Sequence, residues 1–272
     1  MSLKQLILGG ALGTVAIATR ETAGVIRDLL LRPERVASRL NDRLATYLIT
    51  HLPSRTFVDV GAHIGSISAE VQHHTRAHVI AIEAIPDKAQ ALRRKFRDIV
   101  VHQCAVGEHT GEAAFFIDQR QSGYSSLARI PGSIEIRVPL RRLDDLISEQ
   151  VDSIKIDVEG AELGALIGAE RIVAESRPLI MFESGPYEAL YTKGAIWSWF
   201  TARGYEVLTP DHLAHDSPAL TLDGFKEAHY YPRRTTNYFA VPSEKRVKIR
   251  SMARALCRVV DTEHSQQLSA VQ

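Results

Sequence analysis

The chain has 272 residues, with 33 Lys and Arg against 32 Asp and Glu, a formal net charge of +1, and 45% hydrophobic beside 24% charged residues. That balance suits a soluble globular protein and lacks the bulk positive field expected of a nucleic-acid binder. The two cysteines, Cys104 and Cys257, form no Cys-x-x-Cys pair, which argues against a disulfide framework or a zinc site and fits a reducing compartment.

Residues 1–20 are apolar around a single Lys4 but shorter than a membrane span requires, and apolar side chains continue at helical intervals through Val25, Ile26, Leu29 and Leu30. This pattern favours a helical N-terminal extension, packed on the domain or lying on a membrane face, over a cleaved signal. A second helix is expected over 35–52, with Val36, Leu40, Leu44 and Leu48 on one stripe. It leads to Phe57-Val58-Asp59-Val60, a short apolar run between Pro53-Ser54 and Gly61, which has the form of a buried parallel strand.

Gly61 and Gly65 let the main chain turn sharply and approach a ligand, and Ile64, Ile67, Ser68 and Val71 follow at helical spacing. A strand, a glycine turn and a helix N-terminus together make the entrance to a nucleotide or nucleoside site at the carboxyl edge of an α/β sheet. The pattern Asp59-x-Gly61-x-x-x-Gly65 departs from the Gly-x-Gly-x-x-Gly of dinucleotide sites. A carboxylate at the strand tip would repel a pyrophosphate and welcome a cation. S-adenosylmethionine carries a sulfonium and an ammonium and no phosphate. Glu83 ends the next apolar run, 79–82, where a carboxylate would bind ribose hydroxyls in either cofactor class.

Pro86-Asp87 starts a charged helix over 88–97, and a third strand is expected near 99–103. The strand-helix-strand order implies a parallel sheet with right-handed crossovers. Cys104-Ala105-Val106-Gly107, at the end of that strand, would lie beside an adenine ring, with Ala105 as the contact; a buried strand end of small residues is the alternative for Cys104. Two alternating runs, 112–118 and 134–140, are joined by Gln121-Ser122-Gly123-Tyr124-Ser125-Ser126, which predicts an inserted hairpin with a long tip. Tyr124, Ser125 and Ser126 could reach cofactor or acceptor from there, or form a solvated loop.

In Ile154-Lys155-Ile156-Asp157-Val158-Glu159-Gly160 the isoleucines and Val158 predict another buried strand, turning at Gly160 into a helix over 162–175. Lys155, Asp157 and Glu159 lie two apart and share one face of an extended segment. Three charges on one face of a core strand are costly unless that face opens into a ligand cleft.

Through these segments taken together, the chain resembles the FkbM family of S-adenosylmethionine-dependent methyltransferases. The resemblance rests on Phe57-Val58-Asp59-Val60-Gly61-Ala62-x-Ile64-Gly65, on Ile154-Lys155-Ile156-Asp157-Val158-Glu159-Gly160-Ala161-Glu162, and on Leu166-x-Gly168-Ala169 and 178–183. Leu143-Asp144-Asp145-Leu146 and Asn237-Tyr238-Phe239-Ala240 also fit, and the similarity spans about 56–242. It implies an α/β, Rossmann-like class I methyltransferase sheet, mostly parallel, and O-methylation of a hydroxyl on a sugar, polysaccharide or polyketide. His63 stands where the family commonly has asparagine, and Ile82-Glu83-Ala84 where it has an aromatic-Glu-Pro. No Asn-Pro-Pro-Tyr follows the fourth strand, which removes the usual sign of exocyclic amine methylation.

The expected division is an N-terminal helical extension (1–52), a methyltransferase domain (53–242) and a basic C-terminal tail (243–272). The expected cofactor contacts are Asp59, Gly61, His63, Gly65, Glu83 and Ala105. Asp157 or Glu159 is the expected base, with Lys155 setting their charge balance. No metal is assigned, although Asp157, Glu159 and Glu183 gathered around Mg²⁺ are an alternative. The competing functions are a nicotinamide-dependent oxidoreductase and a non-catalytic module that binds the methyl donor. The expected partners are a small-molecule or glycan acceptor, with no nucleic acid. Membrane contact through the N-terminal helix and the basic tail, and a homo-oligomer, stay open. A donor made in the cytosol points to the cytoplasm. Ile196, Trp197 and Phe200 are expected to be core, and 210–234, with His212 and His215, an acceptor-side loop.

Overall fold

The computed structural model describes residues 33–118, 125–129, 131–185, 192–215, 217–230 and 235–269. The apolar segment 1–32, Tyr124 and Tyr231 lie outside the described residues. A seven-stranded sheet forms the centre, with strands β1 (Thr56–Val60), β2 (His78–Glu83), β3 (Ile99–Gln103), β7 (Ser153–Ile156), β8 (Leu179–Glu183), β9 (Tyr205–Leu208) and β10 (Asn237–Pro242) in the order β3-β2-β1-β7-β8-β10-β9. Pairings β3-β2, β2-β1, β1-β7 and β7-β8 are parallel, while β10 runs antiparallel to both its neighbours. The mostly parallel α/β sheet expected from the sequence is present, and strand order reverses between β1 and β7. In open α/β sheets the crevice above such a reversal is where ligands bind.

Both faces of the sheet are covered. Val58, Val60, Ile80, Ile82, Ile154, Ile156, Ile180 and Phe182 point to a layer containing α5 (Glu162–Ile167), α6 (Glu170–Ser176), α7 (Lys193–Thr201) and α9 (Leu222–Glu227). Phe57, Val79, Ala81, Met181 and Phe239 point the other way. There they meet α1 (Pro33–His51), α2 (Ser66–Thr75), α3 (Pro86–Lys95), α8 (Pro210–Ala214) and the first half of α10 (Arg246–Ser269). Burial on both sides explains why these strands are continuous apolar runs instead of alternating ones.

The inward stripe of α1 is Ala45, Leu48, Ile49 and Leu52, whereas Leu40 is 60% exposed. Because α1 and α10 (through Ile249 and Ala253) bury side chains in the same cluster as Phe57 and Phe239, they share one core with residues 53–242. None of the helices among the described residues is long and apolar enough to cross a membrane.

The hairpin is present as β5 (Gly111–Ile117) paired antiparallel with β6 (Ile134–Arg141), and β4 (Ala105–Val106) joins β6 to make a separate three-stranded sheet. The single helix expected over 162–175 is two helices. The break falls at Gly168, where a Cβ would lie 2.2 Å from the Gly107 carbonyl oxygen, so glycine is needed for the chain to pass that strand end. The short helix α4 (Leu143–Leu146) supplies the second helix with its cap, the Asp144 carboxylate accepting from Arg171 N at 2.9 Å and Ile172 N at 3.0 Å.

The stretch expected to be an acceptor-side loop holds two short helices, Pro210–Ala214 and Leu222–Glu227. These helices, α8 and α9, with the Ala228 cap of α9, bury Leu213, Ala214, Phe225 and Ala228, and His212 Nδ1 sits 3.0 Å from the Pro218 carbonyl. Ile196 and Phe200 are core as expected, Phe200 lying tilted against Phe182 with ring centroids 4.9 Å apart, whereas Trp197 is only partly buried against that cluster and Trp199 is the buried tryptophan.

Candidate active site

A cavity of about 500 Å³ opens at the carboxyl ends of β1, β2 and β7. Its floor begins where β1 ends. Gly61 (φ +78°) and Ala62 both donate their N–H to the Ile82 carbonyl at 3.0 Å, which bends the chain across the tip of β2. A Cβ on Gly61 would fall 2.0 Å from the Asp157 carbonyl oxygen, so glycine here lets the end of β7 approach the turn.

Gly65 (φ +76°) does not reach the cavity. A Cβ there would meet Phe96 at 2.6 Å and Leu92 at 2.7 Å, so its role is close packing on α3, and its neighbours Ala62, His63, Ile64, Ser66 and Ile67 form the wall. Ile64 precedes the helix, which starts at Ser66, and is 58% exposed.

Glu83 closes β2 inside the same cavity. Its two oxygens accept from His63 N at 2.8 Å and Ile85 N at 2.9 Å, fixing the carboxylate. Burial pushes its pKa up against those donors. His63 is held with a positive φ of 53° by the same bond, and burial, with Lys88 and Lys155 nearby, pushes its imidazole pKa down. Its Nε2 has no hydrogen-bond partner among the described residues.

Asp59 is placed differently from the bare carboxylate at a strand tip that its sequence position suggested. It is 1% exposed, accepts from Ser68 Oγ at 2.6 Å, and lies 3.4 Å from Lys155 Nζ, its register neighbour on β7. Its charge is matched inside the protein before any ligand arrives.

Lys155 and Asp157 do share a face, as alternation predicts, and their ion pair is 3.3 Å long. Lys155 Nζ also donates to the Gly61 carbonyl at 2.9 Å. Burial alone would lower its pKa, but Asp59 and Asp157 outweigh burial and the ammonium is held charged. Asp157 behaves in the complementary way: burial would raise it, and Lys155 with a hydrogen bond from Glu183 keeps it low.

Glu159 arrives by another route. The strand stops at Ile156, and Glu159 (φ +50°) and Gly160 (φ +91°) make a left-handed turn that brings the side chain back to the cavity. Oxygens of Asp157, Glu159 and Glu183 then lie within 4.8 Å of one another. Burial, with Asp157 and Glu162 nearby, pushes Glu159 up to about 7. Burial and the neighbouring Asp157 push Glu183 up to about 9, so at neutral pH Glu183 keeps its proton and gives it to Asp157 as a hydrogen bond.

Ala105 lines the cavity beside Cys104, whose thiol burial pushes up to about 11, and Ser125 lines it from the hairpin. Lys88, in the first turn of α3, and Phe115 also line it. Sequence reasoning passed over both, though the first turn of a helix that follows a strand tip is bound to sit near that tip.

Among the described residues of the wall, five carboxylates (Asp59, Glu83, Asp157, Glu159, Glu183) face two lysines (Lys88, Lys155). With Glu183 protonated, four carboxyl groups still face two lysines, a balance that opposes a pyrophosphate and fits a cationic sulfonium and ammonium. The unpartnered His63 Nε2 leaves a polar contact for such a ligand to make.

Comparisons with known proteins place the chain in a family. Residues 59–207, more than half of the chain, match the methyltransferase FkbM domain. Methyltransferase sdnD of Sordaria araneosa is 26% identical over 166 residues, covering 46% of this chain and 64% of that protein, so the chain spans less than two thirds of this relative. Among solved structures, methyltransferase FkbM from Methylobacillus flagellatus is 22% identical over 69% of this chain and 43% of its own, with a TM-score of 0.45. Magnesium protoporphyrin IX methyltransferase from Synechocystis, solved with bound S-adenosylmethionine, is 12% identical over 67% of this chain and 74% of its own, with a TM-score of 0.38. The match across β1, the hairpin, β7 and β8 shows that this chain belongs to the FkbM methyltransferase family.

Proposed function

We propose that the chain is an S-adenosylmethionine-dependent O-methyltransferase acting on a hydroxyl of a sugar, polysaccharide or related natural product. The observation that carries this reading is the placement of Glu159, a carboxylate with a pKa near neutrality, in one cavity with the Gly61 turn and Glu83. When bound, the donor supplies a methyl group already activated by a neutral thioether leaving group. What the protein adds is position and a place for the proton.

Glu83, fixed by two backbone donors, is the group for the ribose hydroxyls, and Ala105 and Ile85 are apolar walls for the adenine. Glu159 takes the acceptor hydroxyl proton, because a carboxyl with a pKa of about 7 is about half ionised at neutral pH and basic enough to accept it. Asp157 is the weaker base of the two, since Lys155 holds it ionised and low; it orients the acceptor by accepting a second hydrogen bond. Lys155 keeps the buried Asp157 charged and lies 3.4 Å from Asp59, and Glu183 adds a proton instead of another charge.

The test is transfer of a labelled methyl group from the donor to a panel of sugar hydroxyls, amino sugars and phenols. Methylation of a hydroxyl that disappears in Glu159→Gln, with donor affinity retained, supports the reading. Turnover only on amines, or undiminished turnover in that variant, overturns it.

The 4.8 Å convergence of Asp157, Glu159 and Glu183 favours one second reading, in which the three carboxylates gather Mg²⁺. Activity lost in a chelator and restored by Mg²⁺ would select it over the base.

A further inference from the structure

Glu159 is held in a conformation that a residue with a side chain rarely adopts, and two different parts of the molecule hold it there. From below, Glu162 at the start of α5 is buried and its Oε1 accepts from Val158 N at 3.3 Å and Gly160 N at 3.0 Å, gripping the amides on either side of Glu159. From above, the hairpin region supplies Ser126. Its Oγ donates to the Glu159 carbonyl at 2.6 Å and accepts from Ala128 N at 3.0 Å, so the hydroxyl has a set direction. Ser126 is 2% exposed, and its own main chain exchanges two hydrogen bonds with Phe116 of β5, at 2.8 and 3.0 Å.

The base of this support is firm. Phe115, Val138 and Leu140 of the small sheet bury against Ala84, Ile85 and Ala105, with Leu127 packed on them, so Ser126 is tied to the wall that carries Glu83 and Ala105. A left-handed residue costs on the order of 1–3 kcal/mol and persists only where its surroundings over-determine it. Ser126 does not line the cavity, unlike its neighbours Ser125 and Leu127, and so is not placed to touch a ligand itself.

We propose that Ser126 is a positioning residue for Glu159: its hydroxyl pins the left-handed turn so that the carboxylate stays in the cavity between Asp157 and Glu183. The proposal rests on the reading of Glu159 as the base. It also gives the inserted small sheet a function, since without β5 there is no strand to hold Ser126 over the β7 to α5 turn. Loss of the hydroxyl frees the Glu159 carbonyl, lets the turn relax toward ordinary backbone, and moves the carboxylate toward solvent.

The test compares Ser126→Ala, Ser126→Thr, Glu159→Gln and the double variant Ser126→Ala/Glu159→Gln in the full chain, using the best acceptor found in the hydroxyl panel. Ser126→Ala is expected to lower kcat by about 10- to 100-fold, the scale of a misplacement of about 1 Å, with donor Kd within about twofold of the parent. Its pH inflection is expected to move below that of the parent, as a Glu nearer water loses the burial that raised it. Ser126→Thr, which keeps the hydroxyl, is expected to restore both.

Because Ser126 acts through Glu159, adding Ser126→Ala to Glu159→Gln is expected to cost nothing further, whereas an independent role would multiply the two losses. If Glu159→Gln is inactive and Ser126→Ala keeps the parental kcat and inflection, positioning by Ser126 is wrong and the base stands. Should Glu159→Gln keep full turnover, the base is wrong and the proposal falls with it. If Ser126→Ala does not fold, the Thr variant decides: one that folds with the parental kcat and inflection supports the proposal, and one that folds but lacks the parental inflection overturns it.

Discussion

The state of Glu159 makes a quantitative prediction about pH. Its carboxyl is moved from an ordinary 4.5 to about 7, first by burial and then by Asp157 and Glu162. A base works only when ionised, so kcat/KM should rise with unit slope up to about pH 7 and level off above it. At pH 6 about one molecule in eleven carries the ionised form, and activity should be roughly a tenth of its plateau. Had the carboxyl kept its ordinary value, the rate would be flat across this range.

The measurement is initial-rate methyl transfer between pH 5.5 and 8.5 at constant ionic strength, with donor affinity measured in parallel. Asp157→Asn removes one of the charges that raise Glu159 and should move the inflection to lower pH, whereas Glu159→Gln should lower kcat about 10²- to 10⁴-fold and abolish the inflection. A flat profile from pH 6 to 8, or an inflection that survives in Glu159→Gln, refutes the assignment.

The same geometry governs stability. Gly61→Ala sets a Cβ 2.0 Å from the Asp157 carbonyl at φ +78° and should destabilise the fold by about 2–5 kcal/mol in urea melts; a change under about 1 kcal/mol would contradict the close approach. Lys155→Met leaves Asp59 buried without its cation and should cost about 3–5 kcal/mol, much of it recovered in Asp59→Asn/Lys155→Met. Unfolding stability that does not improve in the double variant would show that the pair is not coupled. Glu183 has a folded pKa of about 9 above its ordinary 4.5, so the folded state holds a proton that the unfolded chain releases between those values. That contribution is full below about pH 4.5 and is lost as pH rises through 9, at up to about 1.4 kcal/mol per pH unit. Thermal melts of Glu183→Gln should therefore lose less stability from pH 5 to 9 than the parent, and equal slopes would refute the shared proton.

Much of this was legible in the sequence because the relevant signals are local. Apolar runs such as Phe57–Val60 and Ile154–Ile156 mark strands buried on both faces, and period-two spacing put Lys155 and Asp157 on one side. The inserted hairpin was legible from alternation and from the serine-rich tip. What escaped depends on contacts between distant segments. Gly65 looks like a ligand-facing glycine until Leu92 and Phe96 are seen against it, and nothing local to Gly168 shows that the Gly107 carbonyl passes too close for a Cβ there. Asp59 sits at a strand tip in the sequence, yet its meaning changes once Lys155 is its register neighbour. Glu159 could not be foreseen in a left-handed turn, since neither the residue type nor its spacing favours one; the turn is held by Glu162 and Ser126 from outside the motif. The helices at 210–228 lacked a clear period because each is only five or six residues long.

This cavity, with its five carboxyl groups and two lysines, is expected to take a sulfur-based nucleoside rather than a phosphorylated one. Isothermal calorimetry of the purified chain with S-adenosylhomocysteine, alongside reduced nicotinamide dinucleotide, tests it most directly. The account predicts one saturable site for the first that is weakened in Glu83→Gln, and no heat for the second. Binding of the dinucleotide, or no heat from S-adenosylhomocysteine with a folded sample, would contradict it.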